Sequence, residues 1–255
     1  VDVDDVAQVV EMDPGIAARI IGVARSAFFG NAQSIYSVKD AIIRVLGLDM
    51  VRSLALGIAL GNTFSVEKSA AFDARGFWTT ALLTADMARY TAPRLDAAHR
   101  PEPEPAYLSG LMHNLGILPL VHLHGSRMAP VLGQPADTPD TEVAALEREQ
   151  LGIDRHQAGA WLAHRWHLPR EVIICMEHYH DPDYHGPDWH LNLLVGTCSR
   201  WVRRRLAEVL EPPPEVQAAM TSLGVSEKAF NTVADTFERK YALTSDMAQA
   251  LANGG

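Results

Sequence analysis

The 255-residue chain has only two cysteines, Cys175 and Cys198, and neither stands in a metal-ligand or redox spacing. A disulfide scaffold is therefore excluded, and a reducing compartment, the cytoplasm, is the expectation. Basic charge is also scarce. Lys and Arg number 22 against 31 Asp and Glu, for a net charge of −9, so general nucleic-acid binding, which rests on neutralising phosphates, is not expected. Long apolar runs are missing. The longest, Val45 to Phe64, is interrupted by Asp49, Arg52 and Asn62, whereas a spanning helix needs about 20 mostly apolar residues; no membrane association is expected. The acidic start, Val1 to Asp5, is the reverse of a secretion signal. Disorder is excluded as the main state, because 47% of the residues are hydrophobic.

What is present is helical periodicity. Val3, Val6, Val9 and Val10 repeat at helical spacing, and Asp13-Pro14 then restarts the chain as a cap followed by a first-turn proline. Ile16, Ile20, Ile21, Val23 and Ala24 form the next apolar face, which Phe28-Phe29-Gly30-Asn31 breaks. Ser37 caps a helix that Gly47 ends, and Asp49 opens another to about Phe64. Phe72 to Tyr90 reads as one long helix, followed by a stiff polar connector, Arg100 to Pro105. Further helices are expected at 106–114, 116–124, 139–151, 154–167, 169–179 and 189–210. After Pro212-Pro-Pro214 come a short helix, a Ser226-capped one over 226–241, and a last one near 245–252. No stretch alternates with period two. The expectation is an all-α, multi-helix bundle with no significant sheet: residues 1–210 as the main domain, and 211–255 as a C-terminal helical extension packing on it.

The eleven histidines are the unusual count, clustered between His113 and His190. Neutral imidazole is the commonest metal ligand, so such a cluster raises a metal hypothesis. Three segments stand out: Gly110-Leu-Met-His113-Asn114-Leu-Gly116, His156-Gln-Ala-Gly159 running on to Trp166-His-Leu-Pro169, and Glu177-His178-Tyr179-His180-Asp-Pro182.

Together with Asp13-Pro14, Val23-Ala-Arg-Ser-Ala-Phe-Phe-Gly30 and Ser37 to Gly47, these segments resemble an HDOD domain, in order, over about residues 1 to 205. The resemblance implies an HD-like helical bundle related to the HD and HD-GYP metal-dependent phosphohydrolases. Such domains are regarded as signalling modules that have usually lost catalysis, joined to receiver, diguanylate-cyclase or phosphodiesterase domains or acting in regulatory circuits. It also implies one more helix before residue 1, trimmed here.

Compared with what that resemblance demands of an active two-metal site, the ligand set is incomplete. Thr79-Thr80 stand where an early histidine is needed, and the His-Asp pair is His113-Asn114. The His-His pair is Tyr179-His180, with His178 out of register, and Val195-Gly-Thr-Cys-Ser199 has no carboxylate. His113, His156 and His180 remain. An Asn in place of the bridging Asp contributes no charge to offset two dications roughly 3.5–4 Å apart. No cofactor is therefore expected, although three histidines and water are enough to hold one divalent metal ion. The bland alternative is hydrogen-bonded imidazoles at relict positions.

The other histidines (His99, His122, His124, His164, His167, His185 and His190) read as surface or helix-end residues. Arg200-Trp-Val-Arg203-Arg204-Arg205 is the one basic cluster; Arg200 and Arg204 share a face that could contact an anion or a partner, with a solvated face as the simpler reading. Phe28 and Phe29 are contact candidates that core burial explains equally well. Cys175 and Cys198 are expected to pack as small apolar groups. The functional expectation is a non-catalytic bacterial regulatory module binding a protein partner or small regulator. The alternative is a phosphohydrolase or cyclic-dinucleotide phosphodiesterase with a reduced single-metal site.

Overall fold

The computed structural model describes residues 2–30, 35–66, 69–136 and 138–252; Asn31, part of the expected break, lies outside them. Among the described residues the regular structure is entirely helical, without a strand. Helices α1 (Val3–Glu11) and α2 (Pro14–Arg25) begin where caps demand. Asp13 accepts from the backbone N–H groups of Gly15 and Ile16 at 2.9 and 3.1 Å, and Pro14 occupies a position whose N–H has no helical partner. After a 3₁₀ turn over Ala27–Phe29, Gly30 takes a left-handed conformation, and Ser37 caps α3 (Val38–Ala41) through Asp40 N–H at 3.0 Å. That helix runs on as a π turn, Ile42–Leu46, closed by Gly47 N–H to Ile42 C=O at 3.0 Å. Gly47, at φ 79°, opens α4 (Leu48–Gly61).

The long helix α5 (Ala74–Thr91), capped by Asp73, lies at the centre, packed on α6 (Pro103–Met112), α12 (Trp189–Leu206) and α14 (Glu227–Ala252). Gly110 of α6 makes the first crossing close: a Cβ there would lie 2.6 Å from Ala85 Cα. The sequence places Pro103 to Pro105 in a connector, but they form the first turn of α6, where prolines are tolerated because no helical N–H bond is lost. Helices α7 (Ile117–His124), α8 (Ala129–Leu132), α9 (Asp140–Leu151), α10 (Arg155–Arg165) and α11 (Arg170–His178) follow, α10 opening on an Asp154–Gln157 capping box. The 3₁₀ turn over Gly125–Met128 and α8 are not foreseen in the sequence.

Two apolar cores share these helices. One gathers α1 to α4 with α7, α10 and α11; the other joins α12, α13 (Pro214–Ser222) and half of α5. The final helix belongs to both. Phe230, Val233 and Phe237 enter the second core, and Met247, Ala248 and Leu251 enter the first. The sequence reading of two helices, 226–241 and 245–252, is therefore corrected to one. No Gly or Pro interrupts residues 241–246, the buried Thr244 hydroxyl is satisfied by Lys240 C=O at 2.7 Å, and burial at both ends keeps the helix continuous. Lys240 is also ion-paired with the buried Asp86 of α5 and lies 4.9 Å from the Phe28 ring centroid. A buried carboxylate needs such a partner, so the pair sets how α14 sits on α5.

Candidate functional site

Three glycines bring the histidine segments together. A Cβ on Gly116 would lie 1.9 Å from Arg155 C=O, so only glycine lets the turn after His113 rest on the first turn of α10, which carries His156. A Cβ on Gly159 would lie 3.3 Å from Gly116 Cα, tightening the same crossing. On α12, a Cβ on Gly196 would lie 2.0 Å from Tyr179 C=O, so the helix backbone lies directly against Tyr179 and delivers Ser199 to His113.

His113, at the end of α6, is 3% exposed. Its Nδ1 is 2.6 Å from Gly110 C=O, and its Nε2 is 3.1 Å from Ser199 Oγ. A carbonyl only accepts, so Nδ1 carries the proton and Nε2 accepts from the serine hydroxyl. Burial lowers the His113 pKa to about 4, although the Gly110 carbonyl pulls the other way, so the ring is neutral at neutral pH and both its nitrogens are engaged.

His156, 2% exposed, stacks face to face on His180, with centroids 3.8 Å apart and planes 14° apart. Tyr179 meets both His113 (4.8 Å, 88°) and His156 (4.9 Å, 66°) edge-on. Burial holds the His156 pKa well below its usual value, helped by the neighbouring His180 and Arg155; burial likewise lowers His180 and raises Tyr179. Both nitrogens of His156, Nδ1 of His180 and Oδ1 of Asn114 are buried with no hydrogen-bond partner among the described residues.

The three histidines expected from sequence thus do converge, but not as a metal centre. Imidazole lone pairs lie in the ring plane. Two nearly parallel rings stacked 3.8 Å apart cannot both direct a nitrogen at one ion about 2.0–2.1 Å away. His113 Nε2 already accepts from the Ser199 hydroxyl, and Asn114 contributes no charge. Among the described residues no group of three or more His, Cys, Asp or Glu is arranged to hold a metal ion. The residues do not fit the metal that an active HD-type site requires. Sequence reasoning missed two members of this group. Ser199 lies 86 residues from His113, and Tyr179 reads only as a lost histidine; neither carries a local signal.

The basic cluster on α12 is a correction. Its expected solvated face is in fact half-buried and engaged. Arg203 pairs with Asp140 and bonds Ala136 C=O and Thr138 C=O at 3.1 and 2.6 Å; Arg205 bonds both Glu238 oxygens at 3.2 and 3.1 Å and stacks 4.1 Å from the Tyr241 ring. Arg200 donates to Thr197 Oγ1 at 3.3 Å. Arg200 and Arg204 line a cavity of about 180 Å³ with Asp140 and Glu215, whose carboxylates already place negative charge there. Phe28 and Phe29 are half-buried, 4.9 Å apart edge-on, with Lys240 over Phe28. None of the seven remaining histidines is buried; His99, His185 and His190 gather around Trp189. Cys175 and Cys198 are buried free thiols whose pKa values burial pushes up. Among the described residues no helix is long and apolar enough to cross a membrane.

Against known proteins, the family model of the HDOD domain matches residues 1–182. An uncharacterized protein of Treponema pallidum (strain Nichols) is 22% identical over 247 residues, covering 94% of this chain and 46% of that protein. A crystal structure from Marinobacter aquaeolei VT8, provisionally described as a signal transduction protein, superposes with a TM-score of 0.78 at 29% identity, over 100% of this chain and 55% of that one. A structure from Shewanella amazonensis SB2B, provisionally described as a phosphohydrolase, superposes with a TM-score of 0.77 at 22% identity, over 98% and 87% of the two chains. The chain spans about half the length of the Treponema and Marinobacter proteins.

Proposed function

Because the chain belongs to the HDOD family, we propose that it is a bacterial signal-transduction module that performs no hydrolysis and acts in the cytoplasm by binding a protein partner. The observation that carries this reading is the state of the three imidazoles. His113 is hydrogen-bonded at both nitrogens and His156 is stacked on His180. The likeness to a protein described for signal transduction supports the regulatory half of the reading. The net charge of −9 and the engagement of Arg203 and Arg205 with carboxylates speak against a nucleic-acid or membrane partner.

A second reading is a single-metal phosphohydrolase, favoured by the unpartnered nitrogens of His156 and oxygen of Asn114. It requires the His156–His180 stack to open. Metal content separates the two. The chain is incubated with manganese, iron and zinc, dialysed exhaustively and analysed for elements. The regulatory reading expects no stoichiometric metal. A stoichiometric metal that disappears in His156→Ala would overturn it.

A further inference from the structure

Arg19 of α2 is 8% exposed and lines a cavity of about 390 Å³ with which the histidine group shares no residue. Its Nη1 donates to Asn62 Oδ1 at 2.9 Å, a neutral partner. Its Nε is buried with no partner at all among the described residues. Three other cations with largely covered side chains are ion-paired, Arg155 with Glu147, Arg203 with Asp140 and Lys240 with Asp86, and Arg200, bonded to the neutral Thr197, has Asp140 and Glu215 beside it. No described carboxylate reaches Arg19 in the same way; Asp13 acts on it only at long range.

A guanidinium stays charged at any ordinary pH, and one removed from water without a counter-ion is costly. Arg19 stands at the edge of an open space whose walls include Phe64, Phe72, Phe77 and Trp78. Its volume lies within the range of small-molecule sites, about 300–1,000 Å³. The group such a charge lacks is an oxyanion, which matches the guanidinium fork in two parallel hydrogen bonds. The aromatic walls suit a flat apolar body.

We propose that this cavity binds a small organic anion: a carboxylate or phosphomonoester head held by Arg19, on an aromatic or apolar body held between the aromatic walls. The site joins α2, the end of α4, the start of α5, α7 and the last turn of α14 through Leu251 and Ala252, so an occupant ties the C-terminal helix to the N-terminal half. The inference stands independently of the regulatory reading.

The test is calorimetric titration and thermal unfolding of the intact chain with benzoate and phenyl phosphate, with benzyl alcohol as the neutral control. At least one anion is expected to bind and raise the melting temperature, benzyl alcohol to do neither, and Arg19→Met to weaken binding about tenfold or more, the loss of a charged hydrogen bond. A response to only one anion identifies the head group. Absence of binding by both anions, or binding unchanged in Arg19→Met, overturns the proposal. Should Arg19→Met fail to fold, Arg19→Lys is titrated instead; it keeps the charge and loses the fork, and binding as tight as in the unaltered chain overturns the proposal equally.

Discussion

The histidine group and the Arg19 cavity are both polar clusters inside an apolar bundle, and they are built in opposite ways. In the first, burial has neutralised the imidazoles, capped His113 at both nitrogens and stacked His156 on His180. In the second, burial has left one charge standing, with a neutral partner and space in front of it. A dense set of titratable groups is therefore not by itself a charged one. A charge with no ion pair among the described residues, beside a cavity, is the feature on which the anion proposal rests.

Three perturbations separate the two regions, in falling order of effect. Gly116→Ala should break the histidine group. Its Cβ would fall 1.9 Å from Arg155 C=O, forcing α10 away from the turn after His113, and urea unfolding should show a loss of about 3 kcal/mol or more. Acid should weaken the same region by degrees, and by less than that over any one pH unit. Folded His113 titrates near 4 against the usual 6.5, so between those values the unfolded chain binds more protons. Its contribution is complete above about pH 6.5 and falls as pH drops toward 4, by about 1.4 kcal/mol per pH unit. Urea midpoints across that window should fall less steeply in His113→Gln; an unchanged slope would mean that His113 is charged in the folded protein. The smallest effect belongs to the cavity. Arg19→Met keeps the apolar stem and removes the charge, so stability should change by within about 1 kcal/mol, while the proposed anion binding weakens about tenfold or more.

Much of this was legible in the chain. Asp13-Pro14, Ser37 and Gly47 mark helix ends because those ends are decided by bonds within a few residues. The convergence of His113, His156 and His180 followed from the family pattern. Their orientation did not, since the stack and the Ser199 bond depend on how α10, α11 and α12 meet. Arg203 and Arg205 read as solvated because their partners, Asp140 and Glu238, lie 63 and 33 residues away. Arg19 did leave a trace: it falls three residues after Ile16 and four before Val23, on the apolar face of its own helix. A charge in that register signals a buried cation, but the local pattern does not say whether a carboxylate waits opposite.

By itself, then, the sequence determined helix content, most helix ends, the loss of the carboxylates an HD-type metal pair needs, and membership of the family. Those features rest on residue identity and on interactions between near neighbours. The tertiary structure alone decided that α14 is one helix shared by two cores, that His156 stacks on His180 while Ser199 bonds His113, and that Arg19 has a neutral partner and no ion pair among the described residues. Each of these depends on desolvation and on partners brought from distant elements: Ser199 to His113, Asn62 to Arg19, Asp86 to Lys240. Short-range pattern carries no record of such meetings.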